Sequence, residues 1–341
     1  MQGNPVNTAR TTTRHRPVLA LTAGAALALA TACGTTEPAA DPQAGGEEWT
    51  FSDGSGDEVT LPERPQRVVA YSGVAAALWD YGFEVVGVFG PVDGVGGEPA
   101  PQIGDVDTEQ VETLSQTYDE LNIEALAALD PDLIVTHAFD DLLWYLPEDS
   151  IDQIEAVAPV AALQVTGVSA EQQLQNHLDL AVALGVDPES ADVTEARATY
   201  DEALARLDAA TEANPDLKVL AVSAAPDSFF VGNAAAGGDL ALFQEHGVNF
   251  PETSAPDTDE YEQLSWEEAD THPADLILQD ARPGRTTVQE LADQPIWRGL
   301  PAVRAEQVGE WRSETPYSYL RYAETVNALA EDIEESEPLE G

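Results

Sequence analysis

The chain has 341 residues, 63 of them Asp or Glu and only 14 Lys or Arg, for a formal net charge of −49 at pH 7. So negative a surface repels nucleic acid and anionic lipid headgroups, which excludes both as partners. With 43% hydrophobic residues it is not a disordered acidic tail, and its length allows a large core divided between two lobes.

The chain opens with Arg10, Arg14 and Arg16 and no acid, followed by the apolar run "PVLALTAGAALALA" at 17–30. That run is short of the about 20 residues a spanning helix needs, and a basic start with a short apolar stretch describes a secretory signal. The small residues Ala30, Thr31 and Ala32 then precede Cys33, the sole cysteine. This pattern resembles a bacterial lipobox, with Ala30 standing where Leu is usual. The expectation is a signal over 1–32 and acylation of Cys33, since a lone cysteine forms no internal disulfide. Residues 34–46, "GTTEPAADPQAGG", have the small, polar composition of a flexible tether, so 33–46 reads as anchor plus tether.

The segment "EEWTFSDGSGDEVTLPERP" predicts a hairpin around a turn-rich centre. A buried strand "QRVVAYSG", a helix "VAAALWDYG" and a strand "FEVVGVFGP" follow. "ELNIEALAALDPDLIVTH" predicts helix, turn and strand, and "PVAALQVT" a closing strand, giving an α/β lobe over 47–168. Residues 169–214 carry only helical spacing. A helix from about 191 to 213 places Tyr200, Leu204 and Leu207 on one face and would run roughly 35 Å, suiting a strut between lobes.

The alternation restarts over 215–341. "LKVLAVSAA" and "DSFFVGN" predict strands and "GGDLALFQEHG" a helix. "QLSWEEADTHPADLILQDA" predicts helix, turn and strand, and "YSYLRYAETVNALAEDIEE" a closing helix. The stretches "NIEALAALDPDLIVTH" and "SWEEADTHPADLILQD" repeat one pattern, a short helix, a Pro-containing turn and an apolar strand. The fold class expected is therefore α/β, two lobes each with a central, mostly parallel sheet flanked by helices, joined by one long rigid helix.

The segments "RPQRVVAYSGVAAALWDYGFEVVGVFG", "NIEALAALDPDLIV", "LSWEEADTHPADLIL" and "PIWRGLPAVRAEQV" resemble those of the periplasmic-binding-protein class that captures ferric siderophores, haem or cobalamin for ABC importers. The resemblance runs from about residue 49 to residue 330. It implies a ligand held between two lobes with little hinge motion, and docking on a membrane permease through one carboxylate per lobe. Those carboxylates map onto Glu124 in "LNIEAL" and Glu267 in "LSWEEA", with Glu268 beside the second. It also implies an extracytoplasmic receptor, expected to be a monomer touching the membrane through its anchor alone.

Ligands of open α/β sheets bind beyond the carboxyl ends of strands. Tyr71, Phe89, His137, Phe229, Phe230, Arg282, Trp311 and Arg312 stand at such ends, with Arg285, Tyr317 and Tyr319 clustering nearby and Trp144 and Tyr145 serving as cleft wall or core packing. Arginines and aromatics give donors, charge and flat area suited to a bulky iron chelate. The cargo expected is a ferric siderophore, of hydroxamate rather than catecholate type because the acidic balance favours neutral or cationic complexes. No cofactor is expected, the Fe(III) arriving inside its chelate. Haem, cobalamin or a free metal ion are the alternatives on the same fold, although His137 reads as a lone structural histidine without paired spacing. An anchored hydrolase is the remaining rival. The chain has no G-x-S-x-G or H-E-x-x-H, "GPVDGVGGEP" lacks dinucleotide spacing, "GNAAAGGD" lacks the Lys of a P-loop, and "DVDTEQ" has Gln110 where a calcium loop needs Gly, so no enzyme is expected.

Overall fold

The computed structural model describes residues 48–52, 58–94, 98–225, 228–282 and 285–339. The segments expected to be signal and tether, and with them Cys33, lie outside the described residues. The first described element is a hairpin of β1 (Trp49–Ser52) and β2 (Glu58–Leu61), antiparallel as the alternating pattern predicts. The Trp49 indole N–H donates to Ala183 O at 2.8 Å and ties the hairpin to the body.

The first lobe is built on β3 (Val68–Tyr71), β4 (Gly87–Phe89), β5 (Glu112–Ser115), β6 (Leu133–Phe139) and β8 (Val160–Gln164). Their order is β5-β4-β3-β6-β8 and every ladder among them is parallel, while the short β7 (Leu142–Leu143) folds back antiparallel on β6. Val68, Val69, Leu133, Ile134 and Val135 are fully shielded, as expected of parallel strands covered on both faces. Helices α1 (Ser72–Asp80), α2 (Ile123–Ala128) and α3 (Ile151–Glu155) supply the connections.

Helix α4 (Ala170–Ala183) leads into α5 (Ala191–Ala213), the long helix that links the lobes. Ser190 caps α5 by accepting a hydrogen bond from Val193 N, and Val193, Ala196, Tyr200, Ala203, Leu207 and Ala210 form its buried stripe. Tyr200, Ala203, Leu207 and Ala210 of that stripe pack in one core with Tyr322, Val326, Ala330 and Ile333 of the closing helix α9 (Tyr319–Glu335), while Val193 joins the core of the first lobe. Arg206 joins the two helices through Glu334 at 2.7 Å.

The second sheet has the order β11-β10-β9-β12-β13, formed by β9 (Val219–Ala225), β10 (Ser228–Gly232), β11 (Tyr261–Leu264), β12 (Leu276–Asp280) and β13 (Val308–Trp311). Here the structure departs from a simple mirror of the first lobe. The β9–β12 and β12–β13 ladders are parallel, but β10 is antiparallel to both β9 and β11. The connection from Ala225 to Ser228 is too short for a crossover and forces a hairpin. Helices α6 (Gly238–Glu245), α7 (Val288–Leu291) and α8 (Pro301–Arg304) complete this lobe. The helix expected within "QLSWEEAD" is only a single 3₁₀ turn, Trp266–Glu268, because Gln263 and Leu264 are drawn into β11.

The repeated Pro-containing turn has a physical reason. Asp132 accepts hydrogen bonds from Gln66 N and Arg67 N at 2.8 and 2.9 Å, and Asp275 accepts one from Lys218 N at 2.8 Å. In both lobes one aspartate therefore pins the chain just before the lobe's first strand, and the Asp132 and Asp275 amides return bonds to Arg67 O and Lys218 O.

Candidate functional site

A cleft between the lobes is lined from the first by Tyr71, His137, Phe139, Trp144 and residues 165–168, which sit at or beyond the carboxyl ends of β3, β6 and β8. The second lobe contributes Asn233, Asp239, Tyr261, Arg282, Trp311 and residues 313–317. The crevice thus lies where open α/β sheets place their ligands.

Tyr71 is the hub of the first wall. It is the last residue of β3, and its ring lies 5.2 Å from His137 and 5.6 Å from Tyr145. Gly90, at φ +105°, backs that ring closely, and a side chain there would meet it at 2.7 Å. Beyond it, Tyr118, Trp144 and Tyr145 touch one another with centroids 5.1 to 5.6 Å apart, tilted or edge-to-face. Tyr145 holds φ +62°, a costly backbone state for a bulky residue, which fixes the direction its ring takes.

His137 is not alone, contrary to expectation. Its Nε2 lies 3.0 Å from Nε2 of His177, a residue of α4 forty positions on. His177 Nδ1 is 2.8 Å from Gln173 O, which can only accept, so Nδ1 carries the proton and Nε2 receives the N–H of His137. Burial pushes His177 down to about 4 and, with His177 alongside, holds His137 well below the ordinary imidazole range. Both rings are neutral at pH 7. Tyr317 completes the floor from the second lobe, 5.7 Å from His137, 5.2 Å from His177 and stacked on Tyr322 at 5.5 Å.

The second wall is polar and acidic. Asp239, at the start of α6, accepts from the Trp311 indole at 2.7 Å and from Leu240 N at 2.8 Å, and burial pushes its carboxyl up to about 6. Asn233 donates to Pro256 O and Asp259 O at 3.0 and 2.9 Å, holding the loop that carries Glu260 and Tyr261 at the rim. Burial pushes the Tyr261 phenol up to about 12, against the pull of Arg282.

The arginines do not form the open cationic cluster that their positions suggest. Arg282 donates from Nε and Nη2 to Asp280 at 2.6 to 3.0 Å, from Nη2 to the Tyr261 hydroxyl at 2.9 Å and from Nη1 to Glu314 at 3.2 Å. Asp280 is fully shielded, so Arg282 is its obligatory counter-ion. Arg285 is half exposed, 3.7 Å from the same carboxylate, and Arg312 pairs at 3.3 Å with Glu310; neither lines the cleft.

Of the remaining residues marked in the sequence, Trp144, Trp311 and Tyr317 line the cleft, and Tyr145 flanks it. Phe89 and Phe229 are core residues, both 0% exposed, because each points into the packed face of its sheet. Phe230, one residue on, points the other way and meets Tyr261 edge-on at 6.1 Å. Tyr319 lies outside the cleft, under Arg197 at 4.8 Å and beside Tyr200 at 5.4 Å, with its amide donating to the Tyr81 hydroxyl at 3.0 Å. Glu124 is exposed in the first turn of α2, and Glu267 is exposed in the 3₁₀ turn. Glu268 is occupied in a capping box, accepting from Ser265 N and Oγ, which leaves Glu267 as the outward carboxylate of the pair.

Sequence reasoning missed His177, Asp239, Tyr261 and Glu314. His177 had a signal, since it falls with Leu174, Leu178 and Ala181 on the buried face of α4, where a polar side chain needs a partner.

A model of the family described as periplasmic binding protein matches residues 85–315. The crystal structure of DesE, a ferric-siderophore receptor protein from Streptomyces coelicolor, is 40% identical and superposes with a TM-score of 0.79, covering 85% of this chain and 99% of that one. FhuD from Vibrio cholerae, a siderophore-binding protein solved with Fe3+-Desferal bound, shares the fold at 19% identity and a TM-score of 0.59, over 79% and 98% of the two chains. The Fe(3+)-citrate-binding protein YfmC of Bacillus subtilis (strain 168) is 24% identical over 218 residues, 64% of each chain and so just under two thirds of that protein's length.

Proposed function

The chain belongs to the periplasmic binding protein family, and on that premise we propose that it is an extracytoplasmic receptor that captures a ferric siderophore between its lobes and delivers it to an ABC importer. The observation that carries the reading is the cleft itself, walled by aromatics on one side and hydrogen-bonding groups on the other, in a chain 40% identical to a ferric-siderophore receptor over 85% of its length. Among the described residues no group of three or more His, Cys, Asp or Glu is placed to hold a metal ion. On the proposed reading the ligands to Fe(III) are those of the chelate. Hydroxamate complexes fit better than catecholates, because Asp239, Glu260 and Glu314 line the cleft while Arg282 is engaged, and a strongly anionic complex would meet like charge.

Tryptophan fluorescence tests this, since Trp144 and Trp311 line the cleft. Titration with ferric hydroxamates, a ferric catecholate, ferric citrate, haem, cobalamin and free Fe(III) should give saturable one-to-one quenching by a hydroxamate complex and none by free iron. Response only to haem, cobalamin or the bare metal would replace the cargo, and silence across the panel would remove the function.

Docking on the permease is assigned to Glu124 and Glu267, one exposed carboxylate per lobe, each able to accept a bidentate bond from an arginine. The membrane anchor is assigned to acylation of Cys33. No helix among the described residues is long and apolar enough to cross a membrane. Replacing Cys33 by Ala should free the protein into the medium, and continued retention on the membrane would count against the lipid.

A further inference from the structure

Glu314 is bonded from both lobes within the cleft. Its Oε2 accepts from Gln102 Nε2 of the first lobe at 2.7 Å, and its Oε1 accepts from Arg282 Nη1 of the second at 3.2 Å. Gln102 is 2% exposed, so this tether is fixed from the protein interior. The carboxylate is therefore suspended between the lobes. Arg282 does not cancel its charge, because the same guanidinium also serves Asp280. Arg285, half exposed and 3.7 Å from Asp280, offsets that carboxylate only from outside the cleft, so the crevice itself holds Glu314, Asp239 and Glu260 against the single guanidinium of Arg282.

Opposite stands the aromatic wall. Glu314 and Tyr71 line the same crevice, and burial, then the Glu314 charge, holds the Tyr71 and Tyr145 phenols above their ordinary range. Tyr71 and Tyr145 lie 5.6 Å apart, Trp144 meets Tyr145 at 5.6 Å, and Tyr118, 45% exposed, carries the ring surface outward to solvent. A carboxylate lining the same crevice as several aromatic rings is the combination that recognises an organic cation, through ion pairing and cation–π attraction together.

We propose that Glu314, set against the wall of Tyr71, Trp144 and Tyr145, reads a positive charge on the organic part of the cargo. The receptor then prefers ferric complexes bearing an alkylammonium arm over neutral or anionic ones. This rests on the reading that the cargo is a ferric siderophore, and it adds the feature by which one such complex is told from another. Ser313, whose hydroxyl is buried beside the cleft with no partner among the described residues, is a donor available to an acceptor on the same ligand.

The test is an affinity ladder on the full chain with three ferric trihydroxamates that share one chelate and differ only at a terminal amine. The amine is left free in ferrioxamine B, capped as the neutral acetamide, or converted to the anionic succinamate. Fluorescence titration should show affinity falling about tenfold at each step. In Glu314→Gln the amine-to-acetamide ratio should collapse toward one, whatever the change in absolute affinity for either complex. Equal affinity of wild type for all three complexes, or an unchanged ratio in Glu314→Gln, overturns the proposal. Wild type binding none of the three overturns the hydroxamate reading as well, an outcome distinct from equal binding. Should the variant bind nothing, wild type in high salt supplies the answer: the ratio must shrink as exposed charges are screened, and a ratio indifferent to salt refutes the assignment.

Discussion

With alanine at both Glu124 and Glu267, uptake of the ferric complex by cells should fall on the order of a hundredfold or more, while the purified protein binds its ligand as before. The expectation follows from what the two side chains touch. Each is exposed in the first turn of a short helix, away from the cleft lining. A charge-assisted hydrogen bond contributes about 1.5–3 kcal/mol, and two lost together amount to about two to four decades in affinity for a partner. Either single variant should lose about tenfold or more. Glu268→Ala should leave transport near normal, since that carboxylate is spent on Ser265 and its loss frays only one turn. Impaired ligand binding in the double variant, or full transport by it, would remove these residues from the docking role.

The second large effect concerns the seam between the lobes. Arg321, near the start of α9, donates from Nε and Nη2 to both oxygens of Asp80 at 3.1 and 3.0 Å, and Asp80 closes α1 in the first lobe. The two side chains are 11% and 2% exposed. Ser318 Oγ donates to Asp80 at 2.5 Å, and Asp105 takes a further bond from Arg321 at 2.5 Å. Arg321→Met leaves Asp80 shielded without its cation, which costs about 3–5 kcal/mol. The melting temperature should drop on the order of 10 °C. Pairing that change with Asp80→Asn should recover part of the loss, because the stranded charge is removed along with its partner. A single variant as stable as wild type would mean that solvent reaches Asp80 and that the seam is held elsewhere. Scattering on the same variant should report looser lobes, since α5 would then be left to hold them with fewer ties.

The sequence was most informative where burial imposes a period. The strands Val68–Tyr71 and Leu133–Phe139 and the helix Ala191–Ala213 were legible because shielded strands read as apolar runs and a capped helix repeats its buried stripe over many turns. Strand direction was not legible at β10, where an apolar run says nothing about which way it points; only the shortness of the link after Ala225 did. The strand-end rule reached Tyr71, His137 and Trp311 but also gathered Phe89 and Phe229, since it locates a residue along a strand without saying which face it takes. Glu314, Tyr261 and Asn233 sit in or beside loops, whose positions depend on contacts with distant segments and leave no periodic trace. The arginines misled for a related reason. A cation two residues beyond a shielded aspartate is spoken for before any ligand arrives, as Arg282 is by Asp280, and a count of charges cannot see that.

The bond between Asp80 and Arg321 spans 241 positions of chain. The first lobe therefore takes shape with a carboxylate waiting at the end of α1 for a cation that the last helix brings. Until α9 arrives, that corner must stay wet, and with it the adjoining Tyr81, whose hydroxyl also waits for Tyr319. Full closure of the N-terminal half thus needs the C-terminal helix in place. So distant a pairing carries a loop-closure cost, and pairings of this kind form slowly.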